Sequence, residues 1–283
     1  MLNIIKSDLF RMFRSKGIYI IFFVLLLMAV ISAIAKEPGT IGTVNIRTIE
    51  EMDDIEMQND NDDEDITVTL EKLMEKKTEE DKQRLPLEFI GTNMNLYYLI
   101  LFAVSIVLTS DLSNKTVKNT LSSIVSKRTY FFSKLILTAS ITLILLFANT
   151  LIFYIVNIII NSDAYQCPLS RMLKATIVQI PIMMGLTSLL MLITFVFRNS
   201  AIYNGIAIAG VVTFQLILLL VFSTGKVPAL DTFIRKYELQ QALYELAVYP
   251  ETFHTVICTV MGTAITIFSL ALSYKVFQQS EIK

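Results

Sequence analysis

The chain has 283 residues, 54% of them hydrophobic and 17% charged, with a formal net charge of −1 and a mean hydropathy of +0.59. This is far from the composition of a soluble globular domain and makes a lipid bilayer the expected solvent. Two cysteines without CxxC spacing (Cys167 and Cys258) and one histidine (His254) offer no disulfide framework, metal cluster or histidine-based triad, which sets an ordinary enzyme aside.

The chain opens on a basic segment, 1–16, in which Leu2, Ile5, Leu9, Met12 and Phe13 share one helical face while Lys6 and Arg14 lie elsewhere. The pattern predicts an amphipathic helix on the inner membrane surface, or a simple positive anchor for the first span. That span is predicted over the apolar run 17–35. Its start and its Ala33-Ile34-Ala35 triplet imitate a cleavable signal peptide, but the apolar core is longer than the ~7–15 residues of a signal.

Residues 36–94 form an insert with the acidic run Asp60, Asp62, Asp63, Glu64 and Asp65. Its second half, with Leu70, Leu73 and Met74 among charged residues, reads as a small helix. The acidic run lacks the glycine turn and terminal glutamate of an EF-hand loop. The second predicted span, 95–110, is the shortest. A connection at 111–134 leads to the third span, 135–160, and a short loop at 161–174 to the fourth, 175–197, where Pro181 predicts a kink. A turn at 198–200 precedes the fifth span, 201–223, whose Ala201, Gly205 and Ala209 have the four-residue spacing of close helix packing. Residues 224–251 carry two amphipathic stripes, the first on Leu230, Phe233, Ile234 and Tyr237, the second on Leu239, Ala242, Leu243, Leu246 and Ala247. These predict two short interfacial or re-entrant helices, or a loop packed on the helix ends. The sixth span, 252–274, leaves a tail at 275–283.

The fold class is therefore an all-α integral membrane protein with six transmembrane helices. Lysine and arginine are densest before the first span (Lys6, Arg11, Arg14, Lys16), between the second and third (Lys115, Lys118, Lys127, Arg128, Lys134) and at Arg198. By the positive-inside bias these segments and both termini are cytoplasmic, and the acidic insert is outside.

No G-x-x-x-x-G-K-[ST] occurs: Gly225-Lys226 has Leu220 where the first glycine belongs and is followed by Val227. No acid or base lies near the centre of a predicted span, against ion-coupled transport. The intramembrane polar residues are Asn149, Asn157, Gln179, Asn204 and Gln215, which either bond helix to helix or line a substrate path.

The connection SDLSNKTVKNTLSSIVSKRTYFFSK, residues 110–134, is the most informative stretch. Its acid Asp111, the run Asn114-Lys115-Thr116-Val117-Lys118-Asn119, the leucine-serine step, Lys127-Arg128 and the lysine before the third span resemble permeases of the type-2 ABC-transporter family. The family's glycine is replaced here by Lys115. The resemblance implies a membrane subunit of an ATP-driven exporter, closest in flavour to permeases for lantibiotic or toxin-type peptides or for immunity to them, in a bacterial cell membrane. It further implies docking of this connection on a cytosolic ABC ATPase that holds the ATP and magnesium. Asp111, Asn114, Lys115, Thr116, Lys118, Asn119, Lys127 and Arg128 are the candidate coupling residues. A second permease chain and membrane lipid are the other expected partners; nucleic acid is not one. A basic inner loop that only sets topology or touches anionic lipid is the plainer alternative. The rival for the whole chain is a non-transporting sensor or immunity protein that binds its ligand through the acidic insert.

Overall fold

The computed structural model describes residues 2–35, 84–113, 126–161, 167–224 and 237–279. The acidic run, the coupling-motif residues 114–125 and the first amphipathic stripe up to 236 lie outside the described residues. Every described element is helical: α1 (Leu2–Arg14), α2 (Lys16–Ala35), α3 (Arg84–Thr109), a one-turn α4 (Ser110–Ser113), α5 (Lys127–Asn161), α6 (Leu169–Phe197), α7 (Ser200–Thr224), α8 (Leu239–Val248) and α9 (Thr252–Gln279). Five of these, α2, α3, α5, α6 and α9, are long and apolar enough to cross a membrane. Large apolar side chains cover the outside, among them Phe23, Ile159, Phe253 and Phe268, the last 70% exposed. Water does not sustain such a surface, whereas lipid does.

The helices outrun their apolar stretches because backbone hydrogen bonding continues past the hydrocarbon into polar ends. At about 1.5 Å per residue, the 35 residues of α5 exceed the ~30 Å core of a bilayer. The second span shows the largest difference from the sequence reading, beginning at Arg84 rather than at the apolar run from residue 95. Arg84 pairs with Glu88 one turn on (2.6 Å). Leu85, Leu87, Phe89 and Ile90 are buried behind that pair, and the Phe89 ring stacks on Phe153 of α5 with centroids 3.7 Å apart. Hydrophobic packing thus draws a stretch that reads as part of a polar insert into the bundle.

That span is also interrupted. Thr92–Asn95 tighten to a 3-10 turn and Ser105–Thr109 widen to a π turn, on either side of the regular Leu96–Val104.

The most extensive helix pairing is that of α6 with α9. A β-carbon on Gly262 would stand 2.6 Å from the Pro181 carbonyl carbon and oxygen, so only glycine permits this approach. Threonine pairs Thr142–Thr187 (2.9 Å) and Thr150–Thr176 (2.8 Å) join α5 to the antiparallel α6. Tyr97 donates to the Ala207 carbonyl (3.0 Å) and Tyr203 to the Leu101 carbonyl (3.2 Å), fixing α7 on α3. The α6–α7 turn is tight: Arg198 takes the left-handed conformation (φ 52°), and Asn199 caps α7 by accepting from the Ala201 and Ile202 amides. Gly205, expected at a close helix contact, has nothing within 4 Å of a built β-carbon. Close contacts fall instead at Gly17, Gly91, Gly185 and Gly262, the last the nearest to a neighbouring backbone. Between α7 and α9, α8 is sunk into the bundle, with Ala242 and Leu243 fully buried and its first turn capped by Glu238, which accepts from the Gln241 amide.

Candidate functional site

Four charges converge where α1, the end of the second span and the start of the third meet. Asp8 and Met12 lie one turn apart on the inward side of α1, both 5% exposed. Asp111 stands two residues past the π turn, and Lys134, fully buried, stands two turns into α5. The Lys134 ammonium donates to Asp8 (2.6 Å) and Asp111 (2.5 Å), with the Val107 carbonyl of the π turn at 3.5 Å. Arg11 forks between the same carboxylates, at 2.7 Å from each. Two acids and two bases sum to zero, and that balance lets an ammonium sit where no water reaches it. The Tyr130 ring, 5.3 Å from the ammonium, covers it on one side.

Burial pushes the Asp111 carboxyl upward, but the Arg11 hydrogen bond and the Lys134 charge outweigh it and hold the group below its ordinary 3.8. Arg11 is correspondingly raised, with the Asp111 hydrogen bond the largest cause.

Of the candidate coupling residues, Asp111 is therefore inside this cluster. Lys127 and Arg128 stand at the start of α5. Lys127 donates to the Gln278 carbonyl near the end of α9 (3.1 Å), and Arg128 is exposed, its guanidinium 5.9 Å from the Phe132 ring centre. Asn114, Lys115, Thr116, Lys118 and Asn119 lie outside the described residues. Of the other members, Arg11 and Lys134 entered the sequence reading only through the charge bias and the family-like run, and Asp8 was not singled out. The spacing of Asp8 from the apolar positions Ile4, Ile5 and Met12 was the available signal, because it sets a carboxylate on the buried face of an amphipathic helix.

A second cluster lies deeper and is uncharged. Asn93 donates to Gln179 (2.6 Å) and accepts from Asn149 (2.9 Å), while Gln179 donates to the Ile90 (3.0 Å) and Leu243 (2.7 Å) carbonyls. One glutamine thus ties α3, α6 and α8 together. The 3-10 turn places Asn93, which precedes the apolar run and carried no helical signal of its own. Asn157 belongs to a different contact, accepting from Asn161, which also donates to the Ala33 carbonyl at the end of α2. Asn204 stands apart on α7, its buried Oδ1 without a hydrogen-bond partner among the described residues. The Gln215 side chain lies outside them.

Cys167 and Cys258 are buried thiols that are not joined in a disulfide, and burial pushes Cys167 up to about 11. Cys258 Sγ lies 3.4 Å from His254 Nε2, which is 3.6 Å from Glu245 of α8.

Comparisons with protein-family models, curated proteins and solved structures found no match to this chain. Its functional reading rests on its own residues.

Proposed function

We propose that the chain is the membrane-spanning subunit of an ATP-driven exporter in a bacterial plasma membrane, with the 25-residue α7 as its sixth span and both termini cytoplasmic. The observation that carries the reading is the convergence of α1, the end of the second span and the start of the third on one buried charge cluster. Asp111 and Lys134 of that cluster lie within the segment 110–134, whose sequence resembles the type-2 permeases. A subunit that takes work from a cytosolic motor needs a stiff junction between its docking segment and its spans, and buried, doubly bonded ion pairs supply one.

In this reading the basic segment ending in Lys127 and Arg128 faces a separate ABC ATPase that binds ATP and magnesium. A second permease chain completes the pathway. The cargo is an amphipathic or cationic peptide of bacteriocin, lantibiotic or toxin type, drawn by the acidic insert on the outer side through long-range attraction that salt weakens.

The test is purification of the tagged chain from its native membrane in mild detergent, with mass spectrometry and ATPase assay of wild type and the Lys118→Glu, Arg128→Glu double variant. Co-purification of a Walker-A protein, lost or uncoupled in the variant, is the expected result. Repeated absence of an ATPase from gently extracted wild type would sink the exporter reading.

A further inference from the structure

The charge cluster does more than join helices, because one of its contacts is to an irregular turn. A π turn closes on the fifth residue rather than the fourth, so Ser105–Thr109 hold one residue more than an α-helix of the same length needs. Such a turn leaves backbone groups to be satisfied by other means, and both means are present. Thr109 Oγ1 donates to the Ser105 carbonyl (2.5 Å), and the Lys134 ammonium faces the Val107 carbonyl.

The turn also sets where Asp111 points. Were Ser105–Thr109 to relax to a regular helix, one residue would move past the turn, and α4 would rotate by about 100° and shift by about 1.5 Å relative to α5. Asp111 would then swing away from Lys134. The ion pair requires the π geometry, and the π geometry is held by the ammonium that forms the ion pair. Two mutually dependent contacts of this kind make a bistable element rather than a continuously deformable one. Arg11 adds to the latched state, because it holds Asp111 there and keeps only Asp8 when Asp111 leaves.

We propose that Lys134 is the latch of a register hinge in the second span: bound to Asp111 and the Val107 carbonyl it holds Ser105–Thr109 as a π turn, and on release the turn becomes α-helical and α4 rotates.

The experiment is hydrogen exchange by mass spectrometry on the full chain in lipid nanodiscs, comparing wild type, the double variant Asp111→Asn, Lys134→Met, and a chain lacking Ile106. The double variant removes one acid with one base and leaves the Asp8–Arg11 pair intact, so its thermal midpoint stays close to wild type. Its amides from Val107 to Ser113 are expected to exchange about tenfold faster or more, with the other spans unchanged. Unchanged exchange there in a folded double variant would overturn the latch. Deleting Ile106 removes the surplus residue, so this chain is expected to fold and to exchange more slowly than wild type across 105–113. Deletion of Leu101 from the regular helix nearby turns the buried Ala103 and Val104 by about 100° even when the π turn absorbs the shift, and is expected to cost folding. If loss of Ile106 is as damaging as loss of Leu101, the turn holds no spare residue and the hinge is refuted, whether or not the double variant folds.

Discussion

The two buried polar clusters solve the same problem in opposite ways. At the α1 end, four full charges cancel one another. About 22 Å farther along α5, at Asn149, the polar groups are neutral amides that satisfy one another and two backbone carbonyls. The difference follows from the cost of failure. An unpaired amide deep in the bundle costs a few kcal/mol, whereas an unpaired charge there costs many times more. Full charges are therefore found near the helix ends, in balanced numbers, and amides are found within.

Breaking one charge alone should give the largest effect. Lys134→Met leaves two carboxylates sharing Arg11, and the expected loss is about 3–5 kcal/mol of stability, read as a reduced unfolding free energy in mixed micelles. Adding Asp111→Asn should restore most of it, and a double-mutant cycle measures the coupling. Simple additivity of the two changes would show that the cluster is not a unit.

Next in size is Gln179→Leu, which leaves the Asn93 amide without its acceptor and removes a bond to each of the Ile90 and Leu243 carbonyls. The expected cost is about 2–3 kcal/mol, with faster amide exchange in α8 as the local signature. Asn149→Ala removes one donor to Asn93 and should cost about 1–2 kcal/mol, without freeing α8. Equal loosening of α8 in both variants would contradict the central place given to Gln179.

The smallest effect sharpens the contrast by pH. The folded Asp111 carboxyl lies below its ordinary 3.8, so its contribution to stability is complete above that value and is lost as pH falls through the folded one. Thermal midpoints should be flat with respect to this group between about pH 5 and 8 and should fall below about pH 4. Asp111→Asn, Lys134→Met should remove part of that acid-side fall, and Gln179→Leu none of it.

Legibility in the sequence differed in the same way between regions. The apolar runs announce α2, α5, α6 and α9 directly, since a stretch of ~20 apolar residues has few alternatives to spanning a bilayer. The second span was legible only in its apolar half. Its opening from Arg84 mixes charges with Leu85, Leu87 and Phe89, and only the partners across the bundle, Phe153 and Tyr244 among them, give those residues a place. The α6–α9 seam was hidden for a related reason. Glycines occur in both well-packed and open positions, so spacing alone favoured Gly205, whereas the approach of two backbones falls at Gly262.

The candidate site divides likewise. Asp111, Lys127 and Arg128 are marked by their place in a patterned connection, but Asp8 is distant from them in sequence and nothing local pairs it with Lys134. By itself the sequence determined the helical class and the position of α2, α5, α6 and α9, because hydrophobic length is a property of contiguous segments. Which polar groups meet was decided by tertiary structure alone. A buried ion pair or amide bond depends on how helices far apart in the chain rotate against each other, and that rotation is set by packing between them.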